Sequence, residues 1–168
     1  MVQKSNLRSC LRFLLTISAL VASASVWPGP FEDGLVARDR GDFASAVHTF
    51  KQLAQSGDAN SQFQLSLLYA AGTGVKADHK QSLYWLRQAA TRGNTQAQSN
   101  LGNAFHMGRA VAQDSIKAYA WLSMASAGGD SIASTNRDVV ARKMSSQQLE
   151  QGKALAHECL QGNFKPCL

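Results

Sequence analysis

Three features of the sequence predict an all-α fold, an α/α solenoid of stacked antiparallel helical hairpins. The first is self-similarity at a fixed offset. Leu65, Tyr69, Gly72, Val75, Asp78, Trp85, Ala89 and Gly93 recur 36 residues later as Leu101, Phe105, Gly108, Val111, Asp114, Trp121, Ala125 and Gly129. The second is helical spacing between the glycines, as in Phe43, Ala46, Val47, Phe50, Leu53 and Ala54, whose steps of three and four draw one apolar stripe. The third is composition: only 17% of residues are charged, while Ala, Ser, Gln and Gly are abundant, which suits closely packed helices. A repeat of roughly 20 to 50 residues marks a stacked architecture, because a two-helix unit cannot bury its own apolar face. The expectation is two full 36-residue repeats with a divergent helix pair at each end.

Taken in order, residues 1–24 read as a signal peptide. Lys4, Arg8 and Arg12 form a positive segment, residues 13–21 are apolar, and Ala22-Ser23-Ala24 offers small residues for cleavage after Ala24. An apolar stretch that short falls well below the about 20 residues that span a bilayer, although an uncleaved anchor is the alternative. Cys10 precedes the apolar stretch and is not placed for lipid attachment. The full chain has a net charge of +6; without Lys4, Arg8 and Arg12, fourteen basic residues face eleven acidic ones, a net +3. No basic run survives and the remaining charges alternate in sign, so nothing resembles a nucleic-acid footprint.

Residues 25–30 read as a linker, since two prolines and a glycine cannot continue a helix. The helical-repeat domain then covers residues 31–161, ahead of a tail at 162–168. A short helix over 31–40 is weakened by Gly34, and an amphipathic helix over 43–55 completes a divergent first pair. The first full repeat has helices at 59–71 and from Asp78, a credible N-cap, to about Thr91. Gly72 ends its first helix, Val75 plugs back toward the core, and Gly74 stands in the turn. The second repeat follows the same plan at 96–107 and 115–127, with Ala110 where the turn glycine would be, which should distort that turn without removing it. Helices at 132–143 and 147–160 close the chain, the latter capped by Ser145 or Ser146.

The string Ala59-x-Ser61-Gln62-x-x-Leu65-x-x-x-Tyr69-x-x-Gly72-x-Gly74-Val75-x-x-Asp78, followed by Trp85-x-x-x-Ala89-Ala90-x-x-Gly93, resembles the Sel-one-like repeat, a relative of the tetratricopeptide repeat. The second copy adds Lys117-Ala118 before Trp121. The resemblance implies a helical-hairpin solenoid that serves as an adaptor or scaffold for other proteins. In exported bacterial members it implies a role in the envelope, secretion or host contact. It carries over no catalytic residue.

Leu65, Tyr69, Trp85, Leu101, Phe105 and Trp121 form the expected buried seam. At helical spacing beside Ala89 and Ala125, the two tryptophans read as core rather than as the lining of a ligand pocket. Ser66 and Gly102 would let helices approach closely. Catalytic patterns fail when tested. After His157-Glu158 the place of a second zinc-binding histidine holds Gln161, and neither Ser-x-x-Lys nor Gly-x-Ser-x-Gly occurs. The glycine-rich turn at residues 72–76 lacks the ending that cradles phosphate. No two of His48, His79, His106 and His157 are spaced to bind a metal on one helix face. No enzyme, cofactor or metal is therefore expected.

Cys159 and Cys167 flank Gly162 and Pro166, and in an oxidising compartment they would join as a disulfide, the alternative being two free thiols. With Leu65 and Tyr69 turned inward, the opposite side of the first helices carries Phe63, Gln64 and Leu67, then Asn100 and Asn103 with His106 at the margin. These six are the candidate partner-binding residues. For Phe63 and Leu67 the alternative is packing on the preceding helix. The expected function is an exported module, periplasmic or secreted, that binds a protein or peptide on its concave face. Alternatives are a cell-envelope protein that binds or processes peptidoglycan or a β-lactam, and a self-assembling repeat.

Overall fold

The computed structural model describes residues 29–162 and 164–168. The predicted signal peptide, its cleavage point and Cys10 lie outside them. Among the described residues there are eight α-helices and no strand. They are α1 (Pro30–Asp39), α2 (Phe43–Gln55), α3 (Ala59–Ala71), α4 (His79–Thr91), α5 (Thr95–Met107), α6 (Ser115–Ala127), α7 (Ser131–Ala141) and α8 (Ser146–Leu160), followed by a 3-10 turn at Lys165–Cys167. Pro30 belongs to α1 rather than to a linker, because a proline suits the first helical position, where no backbone donor is needed. None of these helices is long and apolar enough to cross a membrane.

Side-chain caps set the helix starts. The Asp58, Asn94 and Asp130 side chains accept from the amides of Ser61, Ala97 and Ala133, three residues on. Asp78 and Asp114 each accept from two amides of the following helix, at 2.9 and 3.0 Å in both repeats. Ser145 caps α8 in a reciprocal box with Gln148. A second periodic bond joins one hairpin to the next. The buried Gln62 donates to the Ala54 carbonyl at 2.9 Å, and the buried Gln98 donates to the Ala90 carbonyl at 3.1 Å. Each ties the first turn of a first helix to the end of the helix before it. The third position of that series is Ser134, too short to repeat the bond.

Consecutive helices pack from α1 to α7, and the exception is the final pair. α7 and α8 each lie on α6 and scarcely touch one another, so they flank the last repeat instead of forming a further hairpin. Two glycines mark close approaches between helices. A Cβ on Gly34 would lie 2.6 Å from the Phe50 ring, which makes Gly34 a contact residue between α1 and α2 rather than a mere helix weakener. A Cβ on Gly102 would lie 2.7 Å from the Leu122 side chain, between α5 and α6.

The turns of the two full repeats superimpose in their bonding. Gly72 and Gly108 end their helices in the left-handed conformation. Asp78 then donates its amide to the Tyr69 carbonyl, and Asp114 to the Phe105 carbonyl, each at 3.0 Å. Gly74 has φ of 72° and its counterpart Ala110 has φ of 60°. The alanine does not distort the turn; it adopts the glycine conformation and carries the strain, which costs roughly 1–2 kcal/mol for a residue with a Cβ. Replacing Ala110 with glycine should therefore stabilise the protein by about 1 kcal/mol in urea unfolding, allowing for glycine's greater unfolded-state entropy. Gly74→Ala should destabilise it by more than the reverse change gains, since its Cβ would meet the Phe43 carbonyl oxygen at 2.5 Å.

Candidate functional site

Each repeat turn forms one wall of a groove, and the facing helices form the others. In the first repeat Tyr69 from α3, Val75 to Asp78 from the turn, His79 to Gln81 and Trp85 from α4, and Lys51 from α2 enclose about 800 Å³. Trp85 and Tyr69 are only half-buried there, packed at the margin of the first core cluster, which corrects their place in a fully buried seam. Tyr84, largely exposed, stands edge-on to Trp85 at 4.9 Å between ring centroids.

At the equivalent place in the second repeat about 470 Å³ remains open, lined by Arg87, Phe105, Val111, Asp114 and Lys117. Its remaining lining residue of note is Leu168, from the end of the described chain. A disulfide joins Cys159 to Cys167 and holds this tail against α8. The Phe164 ring stacks on Trp121 at 5.9 Å and 12°. The Trp121 indole donates to the Cys167 carbonyl at 2.9 Å, and the Lys117 ammonium donates to the Leu168 backbone oxygen at 2.9 Å. Trp121 is completely buried as a result. Two tryptophans at one repeat position thus differ in burial, according to what lies over them.

The first helices carry the six residues singled out from the sequence, and the structure separates them. Phe63 is 6% exposed and belongs to the core cluster shared with α4 and α5. It therefore leaves the partner-facing set, and its contacts run forward to the next repeat rather than back to α2. Gln64 accepts from Arg38 of α1 at 2.9 Å. Asn103 accepts from Asn136 of α7 at 3.1 Å. Asn100 is exposed. Leu67 (41% exposed) and Met107 (49%) are the large apolar side chains open to solvent on α3 and α5. Asn103, His106 and Met107 face Asn136 and Val139 of α7 across a hollow of about 300 Å³. His106 Nδ1 is shielded from solvent and has no hydrogen-bond partner among the described residues.

The electrostatics are mild. Asp42 is held below the usual carboxylate range by the hydroxyl and amide of Ser45, and Lys153 is held above its usual value by Glu150. Neither lies in these grooves. Among the described residues no three His, Cys, Asp or Glu side chains gather as a metal site requires.

The profile of the Sel1 repeat matches residues 59–94 and 95–130, the α3–α4 and α5–α6 hairpins with the caps that follow them. Residues 59–130 are two Sel1 repeats.

Solved structures agree. The protein is similar to c5321, a protective antigen of uropathogenic Escherichia coli displaying an SLR fold, with 27% identity and a TM-score of 0.74 over 82% of this chain. The match spans only 30% of that antigen's chain. A Sel1 repeat protein from Oxalobacter formigenes is similar at 25% identity and a TM-score of 0.52, over 62% of this chain and 95% of the other. No curated protein sequence matches.

Within the Sel1 repeats, the turn groove escaped the sequence reading because Trp85 and Trp121 share a motif position. The signal that could have separated them lies downstream, in a phenylalanine placed beside a cysteine-bridged tail. Reducing the Cys159–Cys167 bond should lower stability by about 2–3 kcal/mol, from loop closure in the unfolded chain. In urea unfolding with and without reductant, Cys159→Ser, Cys167→Ser and the double variant should lose the same amount. Losses that add would show that the cysteines act separately.

Proposed function

We propose that the mature chain is an exported, non-enzymatic interaction module that binds a protein or peptide across the outward side of its first helices. The Sel1 repeats support the class, since repeats of this family generally serve protein interaction. The disulfide supports export, because such bonds persist in oxidising compartments and are rare in the cytosol. The likeness to a protective antigen is in keeping with a location outside the cytoplasm.

The observation that carries the binding face is the exposed pair Leu67 and Met107, set among Gln64, Asn100, Asn103 and His106 on neighbouring first helices. Exposed apolar side chains beside amides suit a peptide, since the apolar contact supplies burial and the amides match backbone groups. Hydrogen bonds from Arg38 to Gln64 and from Asn136 to Asn103 tie α1 to α3 and α7 to α5, which limits the ordering that binding would cost at Gln64 and Asn103.

Immobilised mature protein should capture a defined partner from envelope extract, and Leu67→Ser with Met107→Ser should abolish the capture. Circular dichroism should be unchanged and the melting temperature should fall by only a few degrees, because neither side chain belongs to a buried core cluster. Undiminished capture by the double variant would remove the first-helix face from consideration.

A further inference from the structure

We infer that the groove beside Trp85 is a second docking site, one that takes an extended acidic peptide segment and lays an aromatic side chain of that segment on the Trp85 indole. It lies away from the outward first-helix side and does not depend on the reading given for that side.

The chain itself contains the binding mode. Lys51, Tyr69, Val75, Asp78, Gln81 and Trp85 correspond at the 36-residue offset to Arg87, Phe105, Val111, Asp114, Lys117 and Trp121. In the second repeat this set holds residues 164–168 by three contacts: a ring on the indole face, an indole N–H to a backbone carbonyl, and a side-chain donor to a second backbone oxygen. The first repeat offers the same three. Trp85 supplies the ring face and the N–H, for which no described residue is the acceptor, and Gln81 supplies a donor where Lys117 stands. About 800 Å³ stands open there, against about 470 Å³ left beside the tail in the second repeat, and no segment of the described chain covers it.

Charge selects the occupant. Lys51, Lys76, His79 and Lys80 line the first groove, all of them exposed. The lone carboxylate, Asp78, already accepts the amides of Lys80 and Gln81. At the positions of Lys76 and Lys80 the second repeat has Ala112 and Ile116, so its groove is less basic. The tail it holds carries Lys165, which three lysines would repel. That tail is also tethered by its disulfide, so the same segment of another copy is a poor occupant for the first groove. An acidic segment with one aromatic residue satisfies both the stacking and the charge.

The test uses the mature full-length protein and a labelled, amidated peptide, Asp-Glu-Phe-Asp-Pro-Asp-Leu, followed by fluorescence anisotropy at low salt. The peptide should bind. Affinity should fall at least about tenfold with Lys76→Glu and Lys80→Glu together, and likewise when the peptide phenylalanine becomes alanine. Because those lysines are exposed, the charge-reversed protein should melt as the parent does; Trp85→Leu gives a second, uncharged loss of binding. The Leu67→Ser, Met107→Ser protein should bind the peptide undiminished, which separates this groove from the first-helix face. No binding overturns the inference. So does equal affinity for a version with lysine in place of each acid, or indifference to charge reversal.

Discussion

A helical hairpin buries one face within itself and leaves another that only a neighbour can cover, and every part of this chain answers to that constraint. Between the two full repeats the answer is translation: the same caps, the same turn and the same buried glutamine bond, Gln62 to Ala54 and Gln98 to Ala90. At the ends translation stops and other devices take over. At the N-terminal end, α1 closes on α2 through Gly34, and Phe31 packs against Phe50 with ring centroids 5.7 Å apart. At the C-terminal end, α7 and α8 both settle on α6, and the cysteine-bridged tail covers Trp121. Burying a large side chain contributes about 1.5–3 kcal/mol, so leaving Trp121 in water would be a substantial loss for a domain of this size.

Much of this was legible in the residues. The 36-residue offset located the repeats, and Asp78, Asp114 and Ser145 located helix starts to within a residue, because capping is a local property of the chain. The partner-facing set was less legible. Helical spacing places Phe63 opposite Leu65, which suggests solvent, yet a helix inside a solenoid has neighbours on both sides. Leu65 turns to the cluster behind it and Phe63 to the cluster ahead. A single apolar stripe cannot describe such a helix. Leu67 and Met107 remain open because neither direction reaches them.

Trp85 and Trp121 show the same limit more sharply. Motif position alone makes them equivalent, and within their own hairpins they are. What distinguishes them is more than 40 residues further on in the case of Trp121, where Phe164 and Cys167 return to cover it. The helix pairing of α7 and α8 was hidden for the same reason: the periodicity reports that each is a helix, not which helix it chooses as support.

One groove occurs twice, its tryptophan covered by the chain's own tail in the second repeat and left partly open in the first. Acrylamide quenching of single-tryptophan proteins, with Trp27 and one of the other two changed to phenylalanine, measures this directly. Trp85 should be quenched readily, and Trp121 should be protected until the Cys159–Cys167 bond is reduced. Equal protection of both indoles, or a Trp121 signal indifferent to reductant, would contradict it.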